Sequence, residues 1–173
     1  MKTLVQHGVI TAALLVARIQ AQEISLTADA AVLSGPFKLT NGYLCQPVTT
    51  STADGGRALF TFNITNAGSY VIRVTVNAQS TQPHLLGINI DAEPKEPEMI
   101  WDIGVTSGFE PQLATWRGNG TTTTPQFKPQ VFTLSPGKHQ LFVRGMDPNT
   151  QLQRLSVLQL PAPPTGLHVV VGQ

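Results

Sequence analysis

Three stretches decide the fold: Gly55-Gly56-Arg57-Ala58-Leu59-Phe60-Thr61-Phe62, then Ala67-Gly68-Ser69-Tyr70-Val71-Ile72-Arg73-Val74, and later Phe132-Thr133-Leu134-Ser135-Pro136-Gly137-Lys138-His139-Gln140-Leu141-Phe142-Val143-Arg144. Each alternates apolar and polar residues and turns at a glycine, the pattern of half-buried antiparallel strands. In the second stretch and its continuation, Tyr70, Ile72, Val74 and Val76 share one face, and Arg73 and Thr75 share the other. In the third, His139, Leu141 and Val143 point one way and Phe142 and Arg144 the other. His139 is therefore expected as a satisfied core histidine.

The same punctuation extends in both directions. Residues 23–26 read as a first short strand, 28–39 as irregular and apolar, and Thr40-Asn41-Gly42-Tyr43 as a turn. A Thr- and Gly-rich loop spans 49–56. Strands are expected at 57–64, 69–78, 85–91, 99–105, 112–116, 131–134, 138–145 and 152–160. The acidic 92–98 segment is broken by Pro94 and Pro97 and cannot be a central strand. Many short strands with no helical periodicity between them predict an all-β sandwich.

Composition agrees. Charged residues make up 12% and aromatics 6%, beside 15 Gly and 13 Pro, as in a turn-rich β-protein with a polar, uncharged surface. The net charge of +1 and the scattered Lys and Arg exclude an electrostatic nucleic-acid binder. Lys2, the apolar run from Val9 to Ala17, and Ile19-Gln20-Ala21 read as a secretory signal over residues 1–21, too short to span a bilayer. The expected mature chain is secreted, extracellular or cell-surface, and free of a membrane span. Its 11 basic residues less Lys2 and Arg18, against 10 acidic ones, give a net charge of −1. Cys45 is the single cysteine, which excludes an intrachain disulfide. The main domain is expected over 22–160. Residues 161–173 read as a proline-rich linker and the start of another strand similar to the opening of a fibronectin type III-like repeat, which suggests further domains of the same polypeptide.

The order and spacing of three pieces carry a resemblance over about 24–160. They are the 55–62 strand followed by Gly68-Ser69-Tyr70, Trp101-Asp102-Ile103 followed by Thr115-Trp116, and Phe132-Thr133-Leu134 followed by Gly137-Lys138-His139-Gln140-Leu141. Together they resemble carbohydrate-binding modules of the galactose-binding-like jelly-roll type, the calcium-assisted family appended to secreted glycoside hydrolases. The resemblance implies a jelly roll that binds glycans without cleaving them. It also implies a structural calcium held by Glu-x-Glu in the first strand and an Asp in the last. Here only Asp29 matches, and the last strand offers Gln153 and Arg154, so no cofactor is expected beyond a reduced calcium site at Asp29.

Sugars are held by aromatic faces against C–H groups, with amides, guanidinium groups and carboxylates on the hydroxyls. Trp101, Trp116, Tyr43 and Phe109 are the aromatic candidates. Trp116 precedes Arg117-Gly118-Asn119-Gly120, which reads either as a binding plate beside a guanidinium and an amide or as a core tryptophan capping the sandwich. Trp101 lies in an apolar strand that suits the core, and Tyr43 sits in a turn beside Asn41. The carboxylates Asp91, Glu93, Glu96, Glu98 and Asp102 crowd one region, which reads as a solvated loop or, as a remote alternative, an acid–base pair. The histidines show no metal spacing. The sequence thus predicts a non-catalytic glycan-binding module, with a ligand-free spacer or assembly domain as the alternative.

Overall fold

The computed structural model describes residues 21–80 and 83–162. The 1–21 leader, up to residue 20, and the 161–173 tail, from 163 onward, lie outside the described residues, as do His7 and His168.

In chain order the strands are β1 (Glu23–Thr27), β2 (Val32–Ser34), β3 (Lys38–Thr40), β4 (Tyr43–Cys45) and β5 (Arg57–Ile64). Then come β6 (Gly68–Asn77), β7 (Leu85–Ile90), β8 (Ile100–Asp102), β9 (Glu110–Leu113) and β10 (Thr115–Trp116). The last are β11 (Lys128–Pro129), β12 (Phe132–Leu134), β13 (Gly137–Gly145) and β14 (Gln151–Gln159). One sheet runs β12-β6-β14-β4-β3, with β9 also on β6 and β1 also on β14; the other runs β2-β5-β13-β7-β8. Every pairing between these strands is antiparallel.

The two-residue alternation read from the sequence sets the core. Tyr70, Ile72, Val74 and Val76 face inward from β6, against Ala58, Phe60, Phe62 and Ile64 of β5 and Leu141 and Val143 of β13. The region expected to be irregular, 28–39, instead holds the 3-10 turn Ala28–Ala30 and two short edge strands. Three-residue strands give too few alternations for a periodic signal. Asn41 and Gly42 turn the β3–β4 hairpin at φ 49° and 79°, the positive pair a tight type I′ corner needs.

The 92–98 segment is a largely exposed loop, anchored by Pro94 to the outer face of the second sheet. Its Pro94 packs where a side chain on Gly87 would go. Glu93 pairs with Arg57 at 2.6 Å, and Glu96 accepts the Thr52 N–H at 2.6 Å. Thr52, through its side chain and then its N–H, holds the Glu96 carboxyl below the usual carboxylate range. The acidic cluster is thus divided among separate partners.

Gln46, 1% exposed, organises the pole where β4, β6, β8 and β13 end. Its amide donates to Val48 O and Thr50 Oγ1, and its oxygen accepts the Gly56 N–H. Glycine is obligatory at 56 because a Cβ there would lie 2.4 Å from the Phe37 ring. Gly56→Ala is expected to lower stability by about 1–3 kcal/mol through overpacking, read as a lower urea midpoint with an unchanged slope.

His139 stacks on Phe62 and ties two corners together: Nδ1 meets Asp91 Oδ2 at 2.6 Å and Nε2 meets Ser135 O at 2.8 Å. Both nitrogens face acceptors, which only the protonated ring satisfies. Burial alone would push its pKa down, but the bonds to Asp91 and Ser135 and the Asp91 charge outweigh it and raise the value. Protonation therefore favours the folded state. The contribution is complete below the unfolded imidazole value of about 6.5 and fades as pH rises through the higher folded value. Urea midpoints measured across this range should fall for the wild type, and His139→Phe should flatten that slope.

Candidate functional site

Trp116 ends β10 and Arg117 follows it, and the two side chains take different partners. Trp116 packs against the core, its indole N–H donating to Ile88 O at 2.9 Å and its ring meeting Phe132 edge-on at 6.1 Å. Arg117, 7% exposed, forks onto Asp102: Nε to Oδ2 at 3.0 Å and Nη2 to Oδ1 at 2.6 Å. Trp101, 1% exposed, is enclosed between the sheets and offers no face to a ligand. Asn119 is exposed in the turn beyond β10. The structure therefore does not assemble the aromatic plate and guanidinium that the sequence placed side by side. It builds a joint there.

Tyr43 has a different setting. It points outward from β4, half-buried, and its ring meets that of Phe109 with centroids 5.8 Å apart and planes tilted by 47°. Phe109 is 38% exposed at the start of β9. Strands β9 and β4 flank the β6–β14 pair, so the two rings close over its end, where Asn77 and Gln151 are the last paired residues. The Asn77 amide donates to Gln151 Oε1 at 2.9 Å. Asn77 Oδ1 is, among the described residues, the one buried side-chain polar atom with no partner. Asn149, exposed and in the left-handed region at φ 66°, lies two residues before Gln151, its N–H donating to Gln46 O at 3.3 Å.

The loop carrying Phe109 is held firmly. The Thr106 hydroxyl accepts the Ala78 N–H at 2.8 Å, and the Thr106 N–H returns to Ala78 O at 2.9 Å. Ser107 donates its N–H and hydroxyl to Glu110, holding that carboxyl below its usual range. Sequence reading singled out Tyr43 and Phe109 but missed Asn77, Gln151 and Asn149. Only the non-local pairing of β6 with β14 brings Asn77 and Gln151 together, which no local pattern signals.

The calcium site implied by the resemblance does not fit this chain. Asp29 stands exposed in the turn after β1, and the residue facing Thr27 from the last strand is Arg154, a cation. One carboxylate beside a guanidinium cannot supply the roughly six to eight oxygens calcium takes. Among the described residues no three Asp, Glu, His or Cys side chains group as metal ligands. Burial lifts the Cys45 thiol pKa against the pull of Lys38, keeping it protonated and unreactive.

No protein-family model matches the sequence, and no curated protein matches it. Solved structures do match in shape. The family 35 carbohydrate-binding module from Clostridium thermocellum superposes with a TM-score of 0.57 at 14% identity, covering 79% of this chain and 98% of its own. The mannan-binding module from Man5C gives 0.52 at 16% identity, covering 80% and 99%. The C-terminal CBM6 of LamC, a marine laminarinase from Zobellia galactanivorans, gives 0.51 at 10% identity, covering 80% and 100%. The shared property is the fold. The described residues adopt the β-sandwich of these modules, the fold class that the sequence pattern predicts.

Removing one partner of the Arg117–Asp102 pair leaves a buried charge uncompensated. Arg117→Met or Asp102→Asn is therefore expected to cost about 3–5 kcal/mol, and Asn119→Ala less than about 0.5 kcal/mol, measured by chemical denaturation.

Proposed function

We propose that this chain is a non-catalytic glycan-binding module whose ligand lies against the Tyr43–Phe109 pair. The observation that carries the reading is that pair itself: two part-exposed rings over an amide row containing an unpartnered acceptor, on a fold shared with carbohydrate-binding modules. The rings suit the C–H face of a pyranose. The exposed Asn149 amide is free to donate to and accept from its hydroxyls. The ligand is a neutral sugar, because no ionised side chain belongs to this set.

A binding role without catalysis also accords with the acidic residues. Asp91 is held by His139 and by the Gln140 N–H, Glu93 by Arg57, Glu96 by Thr52 and Asp102 by Arg117. These four carboxylates thus have structural duties, and Glu98 stands exposed in solvent without a facing carboxylate partner. The chain enters and leaves the domain at the far pole, where the Gln159 N–H donates to Gln22 O at 2.8 Å. Attached sequence would therefore leave the aromatic pole unobstructed, as suits a module that anchors a larger extracellular polypeptide to glycan. The leader read in residues 1–21 supports export.

Affinity electrophoresis in gels containing β-mannan, xylan or β-1,3-glucan tests the reading. At least one should retard the wild type. Tyr43→Ala and Phe109→Ala should each weaken retention about tenfold, given a stacking contribution of about 1–1.5 kcal/mol per ring, and Asn119→Ala should leave it unchanged. Retention indifferent to both aromatic substitutions would remove the site.

A further inference from the structure

On the other side of the 103–109 loop from the aromatic pair lies an open hollow of about 270 Å³. Pro83, Val105, Pro125 and Phe127 give it apolar walls, and Asp102 and Thr122 give it polar groups. We propose that this hollow is a second sugar subsite, taking one neutral pyranose ring. The inference rests on the glycan-binding reading above and extends it to a place that the fold likeness does not supply.

Four observations carry it. Phe127 is 53% exposed and holds a left-handed backbone at φ 48°, a conformation rare for a bulky side chain and costly unless the surroundings fix it. Its ring is therefore presented at the hollow when burial would be the easier fate. The wall that bears it is built in advance. Thr121 and Thr124 exchange backbone hydrogen bonds at 3.1 and 3.2 Å, Gly120 packs so tightly on the 124–126 backbone that a Cβ would lie 2.7 Å from Thr124 O, and β10 pairs with β11.

Charge selects the ligand. Asp102 is neutralised by Arg117, yet each carboxylate oxygen keeps a second lone pair, so it can accept from a sugar hydroxyl without attracting a cation. His84 contributes surface only, because Nδ1 already meets Thr150 Oγ1 at 2.8 Å and Nε2 meets Ser80 Oγ at 3.0 Å. Apolar walls with a hydroxyl and a fixed, charge-compensated acceptor match a neutral sugar better than an anion or a hydrocarbon. The volume falls below the roughly 300–1,000 Å³ of pockets that enclose drug-sized ligands. That suits one ring, a chain end or a branch.

The test is an NMR titration of the full chain with D-mannose, D-galactose, D-glucose and N-acetyl-D-glucosamine at millimolar concentrations. It is run on the wild type, on the Tyr43→Ala/Phe109→Ala double variant, and on Phe127→Ala. At least one sugar should shift the resonances of Gly104, Val105, Thr122 and Phe127, and should still do so in the double variant. Phe127→Ala should weaken that response about tenfold while leaving resonances elsewhere in place; Thr122→Val provides a second substitution on the same wall. Shifts confined to Tyr43, Phe109 and Asn149 would overturn the second subsite and keep the first. No shift anywhere with any sugar would overturn both, as would a hollow response indifferent to Phe127→Ala for the subsite as described.

Discussion

The buried fork of Arg117 on Asp102 is the constraint on which the functional pole depends. Asp102 ends β8 and opens the loop that carries Phe109. Arg117 follows β10 and opens the hairpin-like wall that carries Phe127. Two loops that would otherwise diverge are thereby fixed to one rigid pair with side chains 8% and 10% exposed. Such a pair adds little net stability over a well-packed apolar alternative, because desolvating both charges costs about as much as their attraction returns. Its value lies in geometry: the bidentate bond admits one arrangement, and both candidate sugar surfaces inherit it.

The rest of the sandwich supplies the platform. Glycines at 55, 56 and 145 let backbones approach so closely that a methyl group at any of them would collide with a neighbour. Gln46 then satisfies the donors and acceptors this crowding leaves inside. The far pole, clasped by His139 between Asp91 and Ser135, holds the corner after β7 and the β12–β13 turn. The ends of β1 and β14 meet at that far pole, opposite the candidate site.

The fold was legible because alternation is a local property. The 57–64 strand has the bounds its pattern implied, and β6, β7, β13 and β14 differ from theirs by one residue. The candidate site was legible only in part. Tyr43 and Phe109 stand out as aromatics beside turns, but their meeting depends on β4 and β9 flanking the same strand pair, which no local pattern encodes. The attraction of Trp116 and Arg117 as a joint site came from their adjacency. The contacts argue against that pairing: Trp116 turns to Ile88 O and the core, and Arg117 to Asp102. Asp102, grouped by sequence with the loop acids, owes its role to a cation fifteen residues away.

A crystal structure of the chain soaked with a neutral oligosaccharide that retards it in affinity gels tests the central claim most directly. The account predicts a pyranose ring stacked on Tyr43 or Phe109, with its hydroxyls bonded by the amides of Gln151 or Asn149. Sugar bound at the opposite pole, or on the outer face of the second sheet with the aromatic pair bare, would contradict it.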